Sequence, residues 1–206
     1  MDSRSHQTHT PRAPGRPREF EIGEALDKAI VVFSQQGYHG TSISELKDAM
    51  GLAAGSLYKA FKDKKAIFLA AFDRYKEVRN AVLEGELQQG SDGRDKVLRM
   101  LRVYADASLG EAGRRGCLVV GTAVELGAYD AEAAERVHRS MIRTETILEA
   151  LVREGQADGS IAPGIDPVAT ARLLLSILYG LRVLGKTGPT PEQSRSVVET
   201  ALKLLD

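Results

Sequence analysis

Apolar residues recur along this chain at spacings of three and four and almost nowhere in alternation, which predicts helices rather than strands. Ile22, Leu26, Ala29 and Phe33 lay one apolar stripe along a helix over about Glu19 to Gln36, ended by Gly37. Ile43, Leu46 and Met50 repeat the pattern in a shorter helix. Ser42 and Glu45 form an S-x-x-E capping box at its start, and Gly51 suits a left-handed exit. Leu52 sits in the turn, and a second short helix runs from Ala53 to Ala60, with Leu57 and Phe61 inward. Asp63 can cap a long helix from Lys64 to about Gln88, whose buried side carries Phe68, Ala71, Phe72 and Tyr75.

The remainder reads as further helices between polar breaks. Gln89 to Gly93 is a loop, then a helix to about Leu109, then a loop over Glu111 to Gly116. A helix follows over Cys117 to Leu126, and Asp130 caps another to about Glu154. The Gly- and Pro-containing stretch Gly155 to Ile165 precedes Asp166-Pro167, an N-cap with Pro at the first helical position. That opens a helix to about Lys186. Thr190, Pro191 and Gln193 repeat the device for the last one. The expected fold is all-α with about nine helices.

Two short helices about a Gly-containing turn make a helix-turn-helix, whose second helix can enter a DNA major groove. Ala53, Ala54 and Gly55 are small enough for the backbone to approach base edges, and Lys59 can reach them. Ser42, Ser56, Tyr58 and Lys64 suit phosphate oxygens, and Thr41 is a further candidate DNA contact. Lys64 and Lys65 occupy the first turn of a helix, where the dipole disfavours cations, so an anion in front of them would offset the cost. A helical hairpin inside an ordinary bundle would show the same spacing.

Residues about 20 to 72 resemble the DNA-binding domain of the TetR family of repressors. The likeness is carried by Ala25, Leu26, Ala29 and Phe33, then Gly37-Tyr38 and Gly40-Thr41-Ser42, then Met50-Gly51, Ser56-Leu57-Tyr58, Phe61 and Lys64. Lys65 departs from it, because many relatives carry an acidic residue there. The resemblance implies a three-helix DNA-binding head over residues 19–65 and a ligand-binding and dimerisation domain over residues 66–206. It also implies a homodimer on a palindromic double-stranded operator, released by a small-molecule inducer.

Composition and charge refine this picture. The net charge of the 206 residues is zero, but residues 1–76 carry +3 and the remainder −3. A basic first third on an acidic body suits a head that meets DNA and a body that does not. Residues 1–18 are polar with three prolines and read as a disordered basic arm. Arg16 and Arg18 there could enter a minor groove, although a solvated tail is the simpler reading. The single cysteine, Cys117, excludes an intrachain disulfide. No apolar signal region opens the chain, and the apolar run Leu173 to Leu184 is too short to span a bilayer. The expected location is cytoplasmic, with no membrane partner and no cofactor.

The last two helices carry wide apolar stripes. Leu174, Ile177, Leu178, Leu181, Val198 and Leu202 are the expected dimer interface, with a plain core role as the alternative. Dimerisation through the last two helices is what the resemblance implies. It also implies a ligand pocket between the fourth and eighth helices, with Met100, Tyr104, Val120, Val124, Met141 and Tyr179 as candidate lining residues. Gly116-Cys117-Leu118-Val119-Val120 resembles a TetR subgroup in which some members respond to electrophiles or oxidants. Cys117 near a helix start, with Arg114 and Arg115 close by, suits a reactive thiolate; a small buried residue is the other reading.

An enzyme is the alternative of another class. Glu135 and His138 make one E-x-x-H step of the kind found in di-metal helical sites, but a second step is missing. There is no P-loop, no G-x-S-x-G and no zinc spacing, so neither catalytic nor metal-binding residues are expected. A helical ligand-binding protein that keeps the head without repressing is a further alternative.

Overall fold

The computed structural model describes residues 18–206, with side chains from Ile22 onward. Arg16 and most of the basic arm lie outside the described residues, as does the side chain of Arg18. The described residues are helical throughout, without strands. The order is α1 (Arg18–Gly40), α2 (Ile43–Met50), α3 (Ala54–Ala60), α4 (Lys64–Leu87) and α5 (Gly93–Asp106). There follow α6 (Gly110–Arg115), α7 (Leu118–Glu125), α8 (Ala131–Asp158), α9 (Pro167–Leu184) and α10 (Pro191–Leu202), with short 3-10 turns after α9 and α10.

Local chemistry sets most boundaries. Ser42 accepts the Glu45 N–H at 3.2 Å while the Glu45 carboxylate accepts the Ser42 N–H at 2.8 Å, so α2 starts at a complete capping box. Thr190 and Gln193 build a second box at α10. Asp63, Asp92, Asp130 and Asp166 cap α4, α5, α8 and α9 through their carboxylates. Gly51 leaves α2 with φ 68°, a conformation that only glycine adopts without strain. Gly37, at φ 77° and ψ 177°, breaks the regular winding of α1 and leaves a separate turn at Tyr38–Gly40. The segment expected to be a loop before Gly116 is instead α6; its sequence, GEAGRR, has no apolar period to reveal a helix.

Two apolar clusters hold the bundle. The first joins Phe33, Leu46, Leu57 and Phe68 to Leu118, Leu126 and Val137, with α1 and α4 packing on α7 and α7 on α8. The second gathers Val97, Met100, Leu148, Leu174, Leu178 and Leu205 from α5, α8, α9 and the C-terminal segment. Tyr104 packs on the second and Tyr179 on the first, and their rings meet edge to face at 6.2 Å.

The expected dimer residues divide in this packing. Leu174, Leu178, Leu181 and Val198 are fully buried within the single chain, so they are core and not interface. The inner side of the α9 stripe meets α5 and α8. Ile177 and Leu202 are half-buried. The outer side of α9 leaves Leu173, Val183 and Leu184 exposed. Together with the 3-10 turn, α9 makes an apolar stretch of 21 residues, Pro167–Thr187, longer than the run read from the sequence and sufficient by length and composition to cross a membrane. Its inner side lies in the core, and Arg182 near its end is only 5% exposed.

Candidate nucleic-acid interface

The head is built so that one short helix faces outward. Within α3 only Leu57 is buried, at 1% exposure, and it anchors the helix to Leu46, Phe33 and Phe68. Ala53, Ala54, Gly55, Ser56, Tyr58 and Lys59 are all exposed, and a Cβ built on Gly55 would meet nothing within 4 Å. Tyr58 is 59% exposed, unusual for a large aromatic side chain with no ring partner among the described contacts. Ser42 is exposed at the start of α2, its oxygen accepting in the capping box and its O–H able to donate outward.

Two expected DNA contacts are corrected. Thr41 is 2% exposed and its hydroxyl donates to the Gly37 carbonyl at 2.7 Å. Lys64 donates to the carbonyls of Tyr38 and Thr41, both at 2.9 Å, with its ammonium 4.4 Å from the Tyr38 ring centre. It closes the turn between α1 and α2 and is spent there. The anion expected in front of Lys65 also comes from the chain: its ammonium pairs with Asp130 and Glu132, each at 2.8 Å. Hydrogen bonding to Asp130 raises the Lys65 pKa well above the ordinary lysine range, and the same bond lowers that of Asp130.

Glu125 supplies a second link that the sequence did not reveal. Its carboxylate accepts the N–H of Tyr38 at 2.8 Å and of His39 at 2.6 Å, one on each oxygen. A Cβ on Gly37 would lie 2.6 Å from that carboxylate, so glycine is needed for the approach as well as for the kink. Glu125 ends α7, where the helix dipole disfavours an acid. That misplacement was the available signal. The α7–α8 corner thus holds the head twice, through Glu125 and through Asp130 with Glu132.

The candidate ligand residues fall in three places. Cys117, Val120 and Val124 line a cleft of about 390 Å³ between the end of α1, α7 and the end of α9, together with Glu125 and Lys186. Val124 is 82% exposed at its mouth, so it belongs to the surface and not to the interior expected for it. Tyr104, Met141 and Tyr179 point into the bundle, where the Ser140 and Tyr179 hydroxyls are buried without a hydrogen-bond partner. Met100 is fully buried in the second cluster and is core, because α8 and α9 close over it. Cys117 caps α7 at 8% exposure, and the Tyr75 hydroxyl donates to its sulfur at 3.5 Å. Glu135 pairs with Arg139 at 3.4 Å, His138 is exposed, and among the described residues no three potential ligands gather as a metal site.

Comparison with known proteins finds matches over most of the chain. Residues 25–71 match the pattern of bacterial regulatory proteins of the tetR family, and residues 93–200 match the tetracyclin repressor-like C-terminal domain. The HTH-type transcriptional repressor ComR of Escherichia coli (strain K12) is 28% identical over 194 residues, covering 94% of this chain and 92% of its own. A cysteine mutant of the TetR family transcriptional regulator CifR, solved with 26bp double-strand operator DNA, is 31% identical with a TM-score of 0.78, covering 91% of this chain and 98% of its own. The reduced form of E. coli NemR shares the fold at 21% identity and a TM-score of 0.76, over 91% of this chain and 95% of its own.

Proposed function

Because the chain belongs to the TetR family of bacterial regulatory proteins, we propose that it is a homodimeric repressor that reads a palindromic operator and leaves it when a small molecule occupies the body. The observation that carries this reading is α3, a helix held by buried Leu57 whose every other side chain is offered to solvent. Ala53, Ala54, Gly55 and Lys59 meet base edges; Ser42, Ser56 and Tyr58 position the phosphates. Residues 19–65 are the reading head, residues 66–206 receive the ligand and the partner, and the protein works in the cytoplasm. Arg16 and Arg18 add minor-groove contacts.

One short helix reads only a few base pairs, so two copies are needed, spaced to the pitch of the duplex. The exposed side of α9 is the surface for the second copy, with Leu173, Ile177, Gly180 and Leu184 following one another at turn spacing. A ligand in the body acts through its differential affinity for two head positions. The α7–α8 corner is the route, since it holds both Tyr38–His39 and Lys65. Replacement of Lys59 by alanine is expected to relax preference at one operator position by about 1–3 kcal/mol, and Tyr58→Ala to weaken all duplexes alike. Binding titrations on operator and random DNA check both; equal losses for Lys59→Ala would remove it from the base-reading set.

A second reading concerns the trigger. Cys117 lines the 390 Å³ cleft beside Lys186, which lies against Gly116. Alkylation of that thiol would place bulk in the cleft that Glu125 also lines. Treatment with N-ethylmaleimide should then release DNA from wild type and not from Cys117→Ser; equal release from both would remove the thiol as trigger.

A further inference from the structure

Most arginines of the body have a carboxylate at hand. Arg99 pairs with Asp95, Arg136 with Asp73, Arg143 with Glu84, and Arg172 with Glu145. Three do not. Arg79 of α4, Arg115 of α6 and Arg182 of α9 converge on one cavity of about 200 Å³ against α1. Among the described residues no carboxylate lies within ion-pair distance of any of them. Glu111 lines the adjoining cavity with Arg115, and Glu86 and Asp106 line another with Arg79; Glu86 is taken by Arg99 at 3.4 Å.

Arg182 is the telling member. It is 5% exposed, and its guanidinium donates to the Ala107 and Gly116 carbonyls and to the Ser108 hydroxyl. Those neutral acceptors satisfy hydrogen bonds and leave the charge uncompensated. A buried cation without a counter-charge is costly, and two further cations on the same cavity raise the cost. The nearby Lys76 ammonium sits below its ordinary pKa chiefly through burial, with Arg143 and Arg79 acting in the same direction. Ser34 and Tyr75 also line the wall, the Tyr75 hydroxyl being engaged with Cys117, while Ile30 and Val31 make it apolar on the α1 side.

We propose that Arg79, Arg115 and Arg182 form the seat of a small oxyanion, a carboxylate or phosphate group on a short body. Three guanidinium groups from three helices match such a group in charge and in planar donor geometry. The volume excludes a large polyanion such as duplex DNA. The wall opposite the arginines is α1, the helix that carries Phe33 and ends in the turn held by Glu125, so the bound anion bears on the head. This consequence rests on the repressor reading; the binding itself does not.

The test uses the full-length protein, with thermal denaturation and calorimetric titration at constant ionic strength. Inorganic phosphate and benzoate are the probes, and benzyl alcohol is the neutral control. One of the two anions should raise the melting temperature of wild type saturably, as mass action requires. Phosphate alone or benzoate alone would support the site and identify the group. In Arg79→Ala and Arg115→Ala the affinity should fall at least tenfold, and the unliganded melting temperature should stay level or rise, because repulsion is relieved. Lack of saturation with both anions, or an equal rise in wild type and both variants, would overturn the proposal. Operator binding is measured separately. Wild type that ignores DNA but binds the anion would sink the repressor reading alone, and wild type that binds operator but no anion would sink only this site.

Discussion

Lys65 at the start of α4 and the arginines beside α1 are alike in charge and opposite in circumstance. Lys65 receives its counter-charge from Asp130 and Glu132, while its neighbour Lys64 gives its hydrogen bonds to two backbone carbonyls. Arg79, Arg115 and Arg182 receive none. From the sequence the lysines looked like the place for an external phosphate, and the arginines, spread over more than a hundred positions, did not look like a site. The folded chain reverses this. What a cation does depends on where its counter-charge comes from, and that is decided by tertiary contacts.

The largest expected effect that sharpens this contrast is at Lys64. Lys64→Ala removes two charge-assisted hydrogen bonds and the contact with the Tyr38 ring, and should lower stability by about 2–3 kcal/mol. Chemical denaturation measures it; a loss confined to DNA affinity would return Lys64 to the phosphate contacts. Next is Glu125→Ala, which leaves two backbone N–H groups without their acceptor and should cost about 1–2 kcal/mol. Hydrogen exchange should quicken at Tyr38 and His39; unchanged exchange there would show that the carboxylate does not hold the head.

The smallest effect concerns the exposed Lys65 pair and is read through pH. Asp130 has a lower pKa folded than unfolded, so its contribution is complete above about pH 4 and is lost as pH falls through the depressed value. Lys65 has a raised one and keeps its charge beyond the ordinary lysine range. The gap in melting temperature between wild type and Lys65→Ala should therefore close as pH is lowered from about 6 to about 3. A gap that persists in acid would mean that the strap is not ionic.

Features set by neighbours in sequence were legible. The Ser42–Glu45 box, Gly51, and the caps at Asp63, Asp130 and Asp166 need only a few residues of context, and the structure has each of them. The all-helical fold followed from spacing alone. Which side of α9 faces inward was not legible, since Leu174 and Leu178 differ from Leu173 and Leu184 only in what covers them. Nor were the roles of Lys64 and Glu125, whose partners are backbone groups tens of positions away. Their unfavourable helix positions were visible, but their partners were not, because backbone donors and acceptors carry no residue-type signature.

The central claim, that α3 and its copy in a second protomer read duplex DNA, is tested most directly by selection from a random duplex pool with full-length protein. The recovered sites should be palindromic, with half-sites about one helical turn apart or a multiple of it, and α3 substitutions should change the recovered sequence. Recovery of no preferred sequence, or of a single asymmetric site, would contradict the account.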